Sequence, residues 1–369
     1  MFLWLYQNFR AEIGPLNVFR YVTFRSLGAM ATALIITMAL FPWFIRLLQS
    51  KQIGQVVRDD GPQSHFSKRG TPTMGGTLVL LAMALATLLW GDFGSVFLWL
   101  TLVVTLVYGV VGFIDDFLKV RDRNSKGVTE NQKLATQFGA ALLLFGLLYA
   151  GWFGAEHADT RLYLPFASAR HFAFDVGPWV YALFASFVVV ATSTTVNFTD
   201  GLDGLAIGPI IVSAATLGGL CYLGGASFRG FHVAEYLLLP AVPGAQELAV
   251  FAAAMIGAGV GFLWFNTFPA LVFMGDVGAL ALGGALGMVA VLSKNELLSI
   301  IVNGLFVFEG ASVVVQRYVF KATGKRVLRM APIHHHFEKL GWPEPRVTVR
   351  FWIISVVLSL VALASVKLR

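Results

Sequence analysis

Ten long apolar runs constrain the fold more than any other feature of this chain. They are Leu27–Leu48, Thr73–Trp90, Phe93–Ile114, Leu134–Ala155, Pro178–Thr199, Leu205–Phe228, Leu248–Phe265, Val277–Leu292, Leu297–Tyr318 and Phe351–Val366. Most are free of charge, Glu309 interrupts the ninth, and the eighth is short. A helix needs about 20 mostly apolar residues to cross a hydrocarbon core about 30 Å thick. Barrel strands are excluded, because they alternate over about ten residues. Composition agrees, with 57% hydrophobic and 13% charged residues in a chain of 369. A length of this kind in a soluble protein suggests two or three domains, but too few polar side chains are present to coat them. Disorder requires low hydrophobicity, and a single cysteine, Cys221, cannot form an internal disulfide. Cys221 reads as a small buried hydrophobe. The expected fold is all-α: a polytopic membrane protein with about ten transmembrane helices, forming one integral membrane domain over residues 1–369. The first run has no small-residue cleavage site nearby and reads as a retained span, not a signal peptide.

Loop charge orients the spans. The odd-to-even junctions carry sixteen lysines and arginines, including Lys51, Lys68, Arg69, Lys119, Lys126, Lys133, Lys321 and Arg350, against eight on the other face, such as Arg10, Arg161 and Lys294. The positive-inside rule makes the richer face cytoplasmic and turns both termini outward. This bias accounts for most of the net charge of +7, so nucleic-acid binding is not needed to explain it.

Polar residues that call for explanation lie at the same five junctions. They are Ser67–Gly76, Gly112–Asp116, Asn197–Gly204, Asn266–Asp276 and Pro332–Phe337. Little comparable stands on the other face. A lone aspartate at a lipid boundary is often a helix cap, and Asp276 before the eighth span fits a cap well. Acids at that depth are also functional candidates, and the adjacent Asp115 and Asp116 are harder to dismiss. On a helix they point about 100° apart and can serve different partners. Crowded carboxylates repel unless a cation joins them, and oxygen-only clusters favour Mg²⁺ or Mn²⁺. Lys68, Lys126, Lys133 and His334–His336 are natural partners for phosphate oxygens. Phosphoryl transfer is mostly positioning and charge neutralisation, which suggests a substrate with phosphate in water and a tail in lipid. The Asn197-x-x-Asp200-x-x-Asp203 spacing fits one broad helical face, although Gly201 and Gly204 equally favour a turn. Three consecutive histidines lack the four-residue spacing of a zinc helix; phosphate binding, acid–base work and loop structure remain open. Phe273 either stacks on a ring or anchors its loop. Glu309 faces another helix or takes part in ion coupling. Gly75-Gly76 is no P-loop, and Gly283-Gly284 reads as close helix packing.

Together these strings resemble the polyprenyl-phosphate N-acetylhexosamine-1-phosphate transferases over nearly the whole chain. The triple-histidine loop followed by Gly341-Trp342-Pro343-Glu344 is similar to the muramoyl-pentapeptide branch. The resemblance implies transfer of phospho-N-acetylmuramoyl-pentapeptide from UDP-MurNAc-pentapeptide to undecaprenyl phosphate, giving lipid I and UMP with Mg²⁺ as cofactor. It implies Asp276 as metal ligand and Asp115 and Asp116 as essential acids. The histidine loop is expected to contact nucleotide-sugar phosphates, with His335 grouped among the catalytic residues, His334 and His336 among the substrate-binding ones, and the acting histidine left open. Asn197, Asp200, Thr73 and Lys133 are expected to line the cleft. Lys68, Asp203, Asn266 and Phe273 are expected to hold the uridine. The implied location is the bacterial inner membrane, and a homodimer is left open. A secondary transporter is the rival reading, but transporters place substrate near the midplane between repeats. Here the acids gather at one boundary and no repeat is visible.

Overall fold

Each of the ten apolar runs contains helix, although Leu205–Phe228 begins in turns and ends in a short strand. The computed structural model describes residues 1–51, 53, 70–122, 127–168, 172–228 and 230–366. Among these the helices are α1 (Phe2–Phe9), α2 (Val22–Ser50), α3 (Gly76–Trp90), α4 (Val96–Arg121), α5 (Glu130–Tyr149), α6 (Pro178–Thr199), α7 (Ile207–Gly225), α8 (Val233–Tyr236), α9 (Gln246–Asn266), α10 (Gly275–Leu292), α11 (Glu296–Val302), α12 (Gly304–Thr323), α13 (Ile333–Lys339) and α14 (Glu344–Ala364). Strand is confined to two small antiparallel hairpins, β1 (Arg161–Tyr163) with β2 (Ala173–Asp175) and β3 (Ser227–Phe228) with β4 (Phe231–His232).

Local signals fix several helix ends. Ser95 caps α4 by accepting from the Leu98 amide, and Thr129 with Gln132 closes a capping box on α5. Pro178 opens α6, and Gly324 ends α12 in the left-handed region. Among the described residues, seven helices are long and apolar enough to cross a membrane: α2, α4, α6, α7, α9, α10 and α14. The chain is therefore a multi-pass membrane protein. The ninth apolar run differs from its expectation of one straight span. It breaks at Asn303 into α11 and α12, which meet at 84° and count as an eighth crossing if taken together. Asn303-Gly304 supplies two poor helix formers at that break. Helix α3 has only 15 residues, and α5 opens with the polar Glu130, Gln132, Lys133 and Gln137.

α10 is the central post. Every residue from Val277 to Leu292 is buried, and α10 packs on α3, α4, α6 and α7. Small residues permit this approach: a Cβ at Gly283 would lie 2.7 Å from the Ser193 Cα of α6. The expected close packing at Gly283-Gly284 is thus what the helices use.

Charge is also buried at the end of the bundle remote from Asp115 and Asp276, where the junctions carry little comparable to the five polar strings. Arg25 grips Glu247 with two hydrogen bonds of 2.6 and 2.5 Å. Lys294 donates to the Asp159 carbonyl and lies 3.8 Å from the Tyr181 ring centroid. Tyr181 donates to Glu296 at 2.9 Å. Arg25, Glu247 and Glu296 sit in or beside helices that begin at this end, so loop inspection passes them over.

Candidate active site

Backbone pairing gathers the opposite helix ends. The Gly75 amide donates to the Phe273 carbonyl and the Phe273 amide to the Pro72 carbonyl, each at 2.8 Å. This short ladder fixes the start of α3 against the start of α10. Gly275 then turns with φ 74°, and a Cβ there would collide with Asp116 Oδ2 and approach Thr73 Oγ1. Only a residue without a side chain lets the α10 terminus meet α4 so closely.

Three carboxylates share this corner. Asp115 and Asp116 end the buried stretch of α4, and Asp276 lies in the first turn of α10. Each offers an oxygen within 4.8 Å of the others. Two lysines stand among them. Lys119 Nζ is 2.5 Å from Asp115, 3.2 Å from Asp276 and 3.9 Å from Asp116. Lys133 Nζ is 2.9 Å from Asp115 and 2.7 Å from Asp276. Asp115 also accepts from the Val128 amide at 2.7 Å, while Asp116 accepts from Val277 at 3.2 Å. The two neighbours on α4 therefore serve different partners, as their angular separation predicts. An all-carboxylate donor set of this size suits a hard divalent cation. Asp276, singled out as metal ligand, has Asp115 and Asp116 as fellow candidates. Lys119 escaped notice as a site residue, although its spacing of four and three from the acids is the i,i+4 and i,i+3 signal.

The Asn197–Gly204 segment forms the next wall. α6 ends at Thr199 and the glycines break the helix into turns, the second of the two geometries open to it. Asp200 lies near the triad, and burial together with the charges of Asp276, Asp116 and Asp203 pushes its carboxyl up to about 8. Asp203 Oδ2 accepts from Ala270 at 2.9 Å, and its amide donates to Glu344 at 2.7 Å. Asn266 accepts from Gly204 at 3.0 Å and donates to the Val272 carbonyl at 2.8 Å. Asn266 and Asp203 thus brace two junctions together, and Phe273 is half-buried beside them.

The histidines divide. His334 is fully buried, with Nδ1 3.1 Å from Glu309 of α12. His335 Nδ1 lies 2.7 Å from Glu338, and His336 accepts from the Arg329 amide at 3.1 Å. His334 is therefore closed in by protein where phosphate contact was expected of it. Lys68 and Lys126 lie outside the described residues. The other residues expected at the site lie at one end of the bundle, joined through the contacts above, with Thr73 against Gly275 and Asn197 at the end of α6.

An apolar groove of about 490 Å³ starts at Leu134, which follows Lys133 in α5. Leu134, Phe138, Phe187, Phe198, Gly310 and Val314 line it, from α5, α6 and α12.

Comparison with known proteins adds an independent line. The family described as glycosyl transferase family 4 matches residues 98–294. A phospho-N-acetylmuramoyl-pentapeptide-transferase signature matches residues 68–80. The phospho-N-acetylmuramoyl-pentapeptide-transferase of Sorangium cellulosum is 55% identical over 358 residues, covering 96% of this chain and 95% of the relative. The protein of that name from Anaeromyxobacter sp. strain K is 52% identical, covering 97% of each.

Proposed function

The chain belongs to glycosyl transferase family 4, among the phospho-N-acetylmuramoyl-pentapeptide-transferases, and from that premise we propose how its residues carry the transfer. It moves phospho-N-acetylmuramoyl-pentapeptide from its UDP carrier to a polyprenyl phosphate, undecaprenyl phosphate in the bacterial inner membrane, and forms lipid I. The observation that carries the assignment of roles is the Asp115–Asp116–Asp276 cluster with Lys119 and Lys133 inside it. It lies next to an apolar groove that begins one residue beyond Lys133.

An oxygen of the lipid phosphate attacks the phosphorus that bears the sugar. A new P–O bond forms there, the bond to the UMP oxygen breaks, and UMP leaves with the electron pair. The acceptor is mostly ionised near neutral pH, its second pKa being about 6, so no protein nucleophile is required. Lys133 holds the acceptor phosphate at the mouth of the groove while the tail lies along Phe138, Phe187 and Val314. Asp116 takes the acceptor proton where one remains. Asp200, Asp203, Asn266 and Phe273 shape the nucleotide side, and Asn197, Thr73 and His335 complete the cleft. Asp115, Asp116 and Asp276 offer the oxygens that would hold Mg²⁺, which when bound would supply charge neutralisation on the diphosphate.

The test is UMP release from UDP-MurNAc-pentapeptide by the purified protein. Release should require both polyprenyl phosphate and Mg²⁺. UMP formation without acceptor, trapping a phosphorylated aspartate, would replace direct attack with a covalent step.

A further inference from the structure

Glu309 is fully buried in α12, where a carboxylate is costly to place. Its carboxyl lies 3.1 Å from His334 Nδ1, and His334 is equally buried. Glu309 Oε1 and His334 Nε2 have no hydrogen-bond partner among the described residues. Stability alone is a poor reason to retain such a pair, because burying it costs about what the pairing returns. Nor is the pair needed to dock α13. Ile333, Phe337 and Trp342 already pack on Leu202, Leu205, Val347 and Phe351, and Phe337 stacks on Trp342 with centroids 4.6 Å apart.

The geometry gives the pair a direction. An ionised Glu309 can only accept, so it selects a ring with its hydrogen on Nδ1, and a singly protonated ring of that kind presents a bare Nε2. That nitrogen faces Gly201: a Cβ built on Gly201 would collide with it. Gly201 follows Asp200, and the same turn carries Asp203. The ring therefore rests against the backbone of a segment that shapes the nucleotide side of the cleft, with Glu309 behind it.

We propose that Glu309 is a positioning residue for the transfer, fixing the tautomer and ring orientation of His334 and, through the ring, the pose of the Asp200–Asp203 turn. This rests on the transferase reading given above. The glutamine variant keeps the shape of Glu309 but removes its charge, and its amide can either accept from Nδ1 or donate to it, so it no longer holds the ring to one tautomer. The aspartate variant keeps the carboxylate on a shorter arm. A packing role would favour Glu309→Gln over Glu309→Asp, whereas a tautomer-setting role favours the reverse.

The experiment compares UMP release, melting temperature and ¹⁵N histidine resonances of the full-length wild type, Glu309→Gln and Glu309→Asp in the same detergent. Expected are a His334 signal protonated at Nδ1 in the wild type and a kcat/KM loss of about tenfold or more in Glu309→Gln. Glu309→Asp should retain more activity than Glu309→Gln, and the two melting temperatures should not rank in that order. The proposal is overturned by a wild-type Nε2–H tautomer, by near-normal turnover in Glu309→Gln, or by losses that follow melting temperature. A wild type that releases no UMP sinks the transferase reading instead, and the resonances still report on the pair.

Discussion

Lys119 and Lys133 occupy the oxygens that a divalent cation would use, so lysine and cation compete for one set of carboxylates. Removing one ammonium leaves the cluster more negative, which strengthens cation binding, and it also removes a charge expected to hold phosphate. Lys133→Met should therefore lower the Mg²⁺ concentration for half-maximal UMP release while lowering maximal turnover. An unchanged or raised Mg²⁺ requirement would argue against a cation at this cluster. Asp276→Asn should abolish turnover with the fold intact, and full activity in that variant would remove its metal role. At the remote end Lys294 gives a pH prediction. Burial lowers its ammonium from 10.5 to about 8, against the raising pull of Glu296 and Asp159. Above that value the folded protein releases a proton that the unfolded chain still holds, so this group makes stability rise with pH. From about pH 8 to 9.5 the wild type should gain on the order of 2 kcal/mol relative to Lys294→Met. Parallel melting curves for the two proteins would contradict the burial argument.

Helix contacts carry a paired prediction. Gly283→Ala places a Cβ 2.7 Å from a backbone atom of α6, and overpacking of this kind costs about 1–3 kcal/mol. Gly139 of α5 has nothing within 4 Å of an added Cβ, so Gly139→Ala should be neutral or gain up to about 1 kcal/mol from helix propensity. Thermal melts of both variants check the contrast, and equal effects would mean that α10 can shift away from α6. Elements were the most legible level of the sequence. Apolar length alone located the helix in each of the ten runs, and the charge-poor composition set the class. The bend at Asn303 was hidden, because hydropathy averages across a break that depends on two residues. The boundary at Leu205 also moved, since Gly201 and Gly204 keep the chain in turns until Ile207. At the site the acids stood out because charge is rare in such a chain. Lys119 looked like loop charge, and Glu344 looked like motif context. Their roles depend on which ends meet, and that information lies in tertiary packing. The Arg25–Glu247 pair joins residues 222 positions apart, and no local pattern reports it.

Across the whole molecule, the polar cluster includes Lys133 and the apolar groove begins at Leu134, the next residue of α5, and a substrate with a charged head and a long tail fits that succession. The groove draws its walls from three helices, and its contribution to binding should grow with the apolar area that the tail covers, at about 25 cal/mol per Å². Filling the groove is therefore a length-dependent lesion. Thr194→Trp projects a large side chain into the wall formed by α6 without touching the carboxylates or lysines. It should raise KM for undecaprenyl phosphate severalfold and leave KM for UDP-MurNAc-pentapeptide near the wild-type value. A polyprenyl phosphate too short to reach past Thr194 should be used equally well by both proteins. If the variant penalises short and long acceptors alike, the tail runs elsewhere and Lys133 loses its place at the head of the lipid. If it penalises the nucleotide substrate instead, the α6 wall acts through the Asp200 turn at its end, and the groove is not the acceptor's seat.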